Sequence, residues 1–335
     1  MPERSADIDV LAIGNAIVDV LAMGDDAFLD RHGLVKGSMQ LVDAARAETL
    51  YDAMGTGTET SGGSAANTAV GVAALGGRAA FLGKVRDDQL GAVYTHDMRA
   101  VGVVFDVALA PEDFPEPTGR SLIIVTPDGE RTMNTHLGVA AHVAVDDVDP
   151  ELVAIAGIVY AEAYLWDGLS ARDAILRAVD MARGGDARFA FSVSDGYCAD
   201  RHRAEFVRLI EDKVDILFAN EFEICSLYEC DDFDDAVRLA AKAVPLAFLT
   251  RSEKGSVVVS GDEIHVVAAS PVERIVDATG AGDLYAAGAL YGLTRGADLA
   301  TCARLGSLTA SEVLTHLGAR PLANLRELAD AAGLP

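Results

Sequence analysis

The chain has 335 residues, half of them apolar, with 27 basic against 52 acidic side chains and a formal net charge of −25. That length supports one large buried core, and that charge argues against nonspecific nucleic-acid binding and against anionic membrane surfaces. No run reaches the roughly 20 apolar residues of a membrane span, the start lacks the basic and apolar regions of a signal peptide, and the four cysteines lack metal-ligand spacing, so a cytoplasmic protein with reduced thiols is expected.

In chain order, Asp9–Gly14 reads as a buried opening strand. A second apolar run, Ile17 to Met23, contains Asp19, and an aspartate in such a run needs a partner or water at a strand end. Ser61-Gly-Gly-Ser-Ala-Ala-Asn67 opens an Ala-rich helical stretch, Ser64 to Leu75. Gly62 and Gly63 allow a ligand close to the backbone, and Asn67 offers both donor and acceptor. Alternatively, Ser64 simply caps the helix. A strand at Ala80–Gly83 and a helix at Asp88–Val101 follow. Residues 118–137 alternate around Pro127-Asp128-Gly129, a hairpin signal. The segments at about 15–50 and 105–137 then form either a small antiparallel sheet acting as a lid or an edge extension of the main sheet.

Further strands are expected at Ile158–Ala161, Phe189–Val193, Ile216–Phe218, Ala247–Thr250 and Ser256–Ser260, with helices near 170–183, 201–212, 221–229 and 234–243. This alternation implies a mainly parallel sheet covered by helices, in a single α/β domain over residues 1–335. Asn220-Glu-Phe-Glu223 follows one of the strands. Its oxygens suit a hard cation or, equally, a helix N-terminus. Two Ala-rich helices, near 281–293 and 297–315, end the pattern.

The most informative segment is Arg274 to Gly288. Gly280-Ala281-Gly282 can turn tightly and expose backbone N–H groups where a helix begins, which makes an anion site. Such a site suits the charge on a transferring phosphoryl group. Asp283 in the first turn then either caps the helix or accepts a proton from an attacking hydroxyl. A dinucleotide-binding reading fails, because the third glycine is misplaced and no acidic strand end follows.

The string Asp277-Ala-Thr-Gly-Ala-Gly-Asp283 resembles the signature of the ribokinase-like carbohydrate and nucleoside kinases, the PfkB family. The resemblance runs from about residue 8 to about 325. It implies a three-layer αβα domain with a β-sheet lid, and ATP-dependent transfer to a small-molecule hydroxyl with Mg2+. Within the family, Gly14-Asn15-x-x-x-Asp19, Tyr164-Leu-Trp-Asp167 and Leu317-Gly-Ala-Arg-Pro321 are most similar to adenosine kinases, the bacterial ones in particular. The expected acceptor is the 5′-hydroxyl of adenosine. A sugar kinase and a broader nucleoside kinase are the alternatives. A silent nucleotide sensor is the non-enzyme alternative, and the intact signature argues against it.

The resemblance assigns roles residue by residue. Asp283 is the base, beside the N–H groups of Gly280, Ala281 and Gly282. Asn15, Asp19, Gly62, Gly63 and Asn67 receive the sugar. Gln40, Met133, Leu137 and Tyr164 surround the nucleobase. Arg131 of the lid closes over the phosphate. Asn220 and Glu223 order Mg2+ and its waters. Thr250, Gly255, Thr279 and His316 lie on the ATP side, and Asp277 helps hold a monovalent cation such as K+. The family's Thr-x-Gly-x-x-Gly loop has Ser252 in place of its first glycine, which puts backbone contacts there in question. The net charge repels ATP, so local donors must overcome it. A monomer or homodimer is expected.

Overall fold

Every residue of Ile8–Ile13 is buried, and its neighbours in the sheet are equally apolar, so the first strand sits mid-sheet with both faces covered. The computed structural model describes residues 7–335. The chain opens with β1 (Ile8–Ile13), β2 (Ile17–Met23), α1 (Asp26–His32), β3 (Met39–Leu41), α2 (Ala44–Ala53), β4 (Thr58–Gly62) and α3 (Ser64–Ala74). Next come β5 (Ala79–Leu82), α4 (Gln89–Ala100), β6 (Gly119–Val125), β7 (Arg131–His136), α5 (Pro150–Ala154) and β8 (Ala156–Glu162). Then follow α6 (Leu169–Gly184), β9 (Arg188–Ser192), α7 (Gly196–Lys213), β10 (Ile216–Asn220), α8 (Glu221–Tyr228) and α9 (Phe233–Ala243). The chain closes with β11 (Leu246–Thr250), β12 (Ser256–Ser260), β13 (Glu263–Val267), α10 (Ala281–Thr294), α11 (Leu299–Val313) and α12 (Leu325–Ala331).

The main sheet has eight strands in the order β13-β12-β11-β10-β9-β8-β1-β5. All pairings from β5 to β11 are parallel, and β12 and β13 close the edge antiparallel. Side chains alternate across it as a period of two requires. Val10 and Ala12 join the core shared with α3, α10 and α11, whereas Leu11 and Ile13 join the core under α6, α7 and α9. This is the expected three-layer α/β arrangement. The strand order reverses at β1, which lies between β5 and β8, and a crevice opens there beyond the strands' carboxyl ends.

A second sheet has the order β3-β7-β6-β2-β4. It is mixed, not antiparallel as expected: β2–β6 and β3–β7 run parallel, and β6–β7 and β2–β4 antiparallel. The crossover from β2 to β6 joins distant segments in parallel, which hairpin signals alone do not reveal. β4 also belongs to it, and its polar sequence Thr-Glu-Thr-Ser-Gly gave no strand signal. Residues 105–118 contribute no strand. α7 begins at Gly196, earlier than expected, and carries non-helical backbone at His202. Among the described residues no helix is long and apolar enough to cross a membrane.

Candidate active site

The crevice gathers residues from β1, β2, β8, α3 and α10. Helix α10 begins at Gly280, whose φ of 80° is left-handed, and no side chain caps it. The Ala281 N–H donates to the Ala278 carbonyl at 3.3 Å, and the N–H groups of Gly282 and Asp283 after it have no intrahelical partner. Asp283 does not cap this helix. Its carboxylate reaches across to α3, accepting from Ser64 Oγ at 2.7 Å and Asn67 Nδ2 at 2.8 Å. The carboxylate is therefore hydrogen-bonded and not unpaired. Burial pushes its pKa up, while Ser64, Asn67 and the field of Arg320 pull it down. Ser64 does not cap α3 either: that position belongs to Gly63, at φ 97°, which frees the Ser64 hydroxyl for Asp283.

Asp19 stands on β2 facing β4, and its carboxylate lies against Gly62, where any Cβ would collide with it. Burial raises the Asp19 pKa to about 6, opposed by Arg320 and Arg131. Asn15 donates from its backbone N–H (2.8 Å) and its side-chain Nδ2 (2.9 Å) to Glu162 Oε1. Glu162 ends β8, is 1% exposed, and also accepts from the Ala65 N–H at 2.6 Å. Burial lifts its pKa to about 7 against those hydrogen bonds. Sequence reasoning passed over Glu162, although an acidic residue ending the apolar run Ile158-Val-Tyr-Ala was a readable signal. Ser64 was weighed only as a helix cap, and Arg320 stood in the string Leu317-Gly-Ala-Arg-Pro321 without a role of its own.

The second sheet meets the crevice through Arg131. Its guanidinium pairs with Asp277 at 2.8 Å and donates to Thr279 Oγ1 at 3.3 Å. Asp277 is saturated, accepting also from Thr279 N–H, Thr279 Oγ1 and Gly318 N–H. Arg131 Nε and Nη2 are buried without a partner. An anion entering beside Thr279 would satisfy these donors.

The register of the second sheet corrects one assignment. Gln40 pairs with Asn134, whereas Met39 pairs with Met133 and Leu41 with Thr135. Thr135 continues the row Ser121–Asp19, so Met39, Leu41 and Met133 share Asp19's face of the sheet and Gln40 lies on the other. A shift of one residue in a strand moves every side chain to the opposite face. Met39 and Leu41 are 46% and 60% exposed. A cleft of about 320 Å³ adjoins them, lined by Leu41, Thr135, Leu137 and Ala141 with Glu116 and His142. Tyr164 is held by its hydroxyl to the Ser194 carbonyl at 3.0 Å. Burial raises its pKa, and the fields of Asp195, Asp283 and Glu223 add to this, so it stands beside the crevice.

On the far side, Asn220 and Glu223 form a reciprocal capping box at the start of α8. Burial, together with the fields of Asp195 and Asp283, raises Glu223 to about 7. The side chains of Asn220 and Glu223 are engaged with each other, and among the described residues no group of three or more His, Cys, Asp or Glu side chains is placed to hold a metal ion, so Mg2+ at this place would have to be held through water. Thr250 ends β11, and the loop after it returns at Gly255. Ser252 adopts φ 51°, so the loop keeps the left-handed turn that glycine would make without strain. His316 sits between Glu312 Oε1 and the Leu317 carbonyl.

A switch-point crevice, an open helix N-terminus and a carboxylate turned toward α3 are what a phosphotransferase acting on the hydroxyl of a small molecule needs. The comparisons with known proteins agree. The pfkB family carbohydrate kinase pattern matches residues 33–325, and the chain belongs to that family. The chain is similar to the adenosine kinase from Sinorhizobium meliloti at 50% identity and a TM-score of 0.91, over 98% of this chain and all of that one. It is also similar to a probable sugar kinase protein from Rhizobium etli, at 46% identity and a TM-score of 0.92 over the same shares. A 5-dehydro-2-deoxygluconokinase from Bacillus velezensis is 25% identical over 92% of this chain and 89% of its own length.

Proposed function

We propose that the protein transfers the γ-phosphoryl of ATP to the 5′-hydroxyl of adenosine, with Asp283 as the general base. The observation that carries this reading is the placement of Asp283. It is partly buried, its pKa is raised, and it lies between the open N-terminus of α10 and the α3 start that carries Asn67. A base there can take the proton of a hydroxyl whose oxygen attacks a phosphoryl group seated on the α10 N–H groups. Asp19, with Gly62 against it, suits a pair of ribose hydroxyls. Arg131, with two unpartnered donors, would take up charge on the phosphoryl group. Bound Mg2+ would neutralise the ATP oxygens, held through Asn220 and Glu223. The Asp277 carboxylate is taken up by Arg131, Thr279 and Gly318, so no monovalent cation is assigned to it.

The cleft sets the apolar walls of Leu41, Val42, Leu137 and Ala141 beside the polar edges of Asp43, Glu116, His136 and His142, a combination that a free sugar does not need. A nucleobase does. The similarity to the Sinorhizobium meliloti adenosine kinase supports the same choice. The test is ATP-dependent phosphorylation measured across adenosine, inosine, guanosine, ribose and fructose. Adenosine is expected to give the highest kcat/KM. Turnover of ribose or fructose without turnover of adenosine overturns the acceptor and leaves a sugar kinase, as the Rhizobium etli relative is described. Near-normal turnover by Asp283→Asn overturns the base.

A further inference from the structure

We propose that Arg320 is a positioning residue for acceptor binding: its guanidinium holds the Ser61–Gly63 loop and the start of α3 in the conformation that faces Asp19 and Asp283. This rests on the reading that the acceptor's hydroxyls bind there.

Arg320 lies 37 positions after Asp283 in the chain, in the string Leu317-Gly-Ala-Arg-Pro321, to which no role was assigned from the sequence. It ends a three-residue strap that touches three parts of the crevice in succession. Gly318 donates its N–H to Asp277 Oδ2 at 2.9 Å, behind the Arg131 pair. Ala319 packs on the anion turn so closely that a Cβ on Gly280 would stand 2.7 Å from its methyl. Arg320 then crosses to the acceptor side. Its Nε donates to the Ser61 carbonyl at 2.9 Å, Nη1 to the Ala66 carbonyl at 2.9 Å, and Nη2 to Ser61 Oγ at 3.2 Å.

Such a planar fork suits two carbonyls from separate turns, which a lysine's single nitrogen cannot span in the same way. The loop is anchored from α4 as well. Ser61 N–H donates to Asp97 Oδ2 at 3.0 Å, and the Tyr94 hydroxyl donates to the Gly62 carbonyl at 3.3 Å. The cation also acts at range on Asp19 and Asp283. Both carboxylates are raised by burial and pulled back down by Arg320. Arg131, Asp277 and Asp283 share the surroundings of Asp19; Ser64 and Asn67 contact Asp283, with Glu162 and Glu223 in its field.

The experiment compares wild type with Arg320→Met and Arg320→Lys, using whichever acceptor the panel above identifies. If wild type ignores adenosine, the acceptor reading fails while this comparison still runs on the sugar found. Arg320→Met is expected to raise the acceptor KM at least tenfold and leave the ATP KM within twofold. Its acid limb of kcat/KM is expected to move to higher pH, because both carboxylates lose the cation that favours their charged forms. Arg320→Lys keeps the charge and loses the fork, so it is expected to raise the acceptor KM with a smaller pH displacement. Free guanidinium is expected to restore part of the acceptor affinity to Arg320→Ala. Equal rises in both KM values, or an unchanged acceptor KM with an unchanged pH profile, overturn the proposal. Should Arg320→Met fail to fold, the lysine variant decides by the same two readouts.

Discussion

Two helices, α3 and α10, start face to face, and each begins with a left-handed glycine and no side-chain cap. What surrounds the two starts differs. At Gly63 a Cβ would collide with the Asn15 carbonyl oxygen, and at Gly62 with Asp19. At Gly282, in the first turn of α10, a Cβ would meet nothing within 4 Å. The α3 start is packed at both glycines, whereas α10 is packed at its cap, where a Cβ on Gly280 would stand 2.7 Å from the Ala319 methyl, and is open only at Gly282, where an anion has room. Asp283 joins the two, belonging to the open helix and hydrogen-bonded to the packed one.

The largest effect expected from perturbing this pair is at the joint. Asp283→Asn should lower kcat by about 10²–10⁴-fold, with binding of both substrates retained, as measured by steady-state kinetics and equilibrium binding. Next comes the packed start. Gly63→Ala forces a left-handed conformation and a backbone collision, so a loss of about 1–3 kcal/mol in denaturant unfolding is expected, together with a weakened acceptor KM. A stable Gly63→Ala protein with normal kinetics would remove the distinction between the two helix starts.

A pH series separates chemistry from stability. Burial raises the pKa of both Asp19 and Asp283, and kcat/KM should fall as pH drops through about 6, where Asp19 takes up a proton. Stability should move the opposite way. Glu162 and Glu223, at about 7, bind protons more tightly folded than unfolded, so their contribution grows as pH falls from above 7 toward the ordinary glutamate range. Thermal unfolding midpoints that fall in parallel with activity between pH 7.5 and 5.5 would contradict this assignment.

The open start gives a smaller effect. Gly282→Ala should leave unfolding within about 1 kcal/mol of wild type, since alanine favours helix and finds space. The same change should raise the ATP KM or lower kcat, because the methyl group enters the anion's space. The smallest change is at Ser252, where φ is 51°. Ser252→Gly relieves left-handed strain and loosens the unfolded chain, for a net gain of at most about 1 kcal/mol in unfolding.

The crevice was legible wherever a local rule forced the residue type. Gly280 and Gly63 occupy left-handed positions that only glycine adopts freely, and Asp283 stands out as a carboxylate beside an anion site. The main sheet was legible because strands buried on both faces read as continuous apolar runs. Asn220 and Glu223 were readable as a pair, and the structure shows the capping geometry that their spacing also allows. β4 was not legible, since Thr-Glu-Thr-Ser-Gly pairs with β2 along its edge without an apolar face of its own.

By itself, the sequence determined the α/β class, the two glycine turns and the identity of the acidic residue between them, because these follow from periodicity and backbone conformation within a few neighbours. Only the tertiary structure decided that Asp283 turns away from its own helix toward Ser64 and Asn67. It alone gave Met39 and Leu41, not Gln40, to the face shared with Asp19, because register depends on a partner strand more than 90 positions away. It also brought Glu162 and Arg320 to the Ser61–Ala66 segment, through hydrogen bonds whose partners lie 97 and 259 positions apart in the chain.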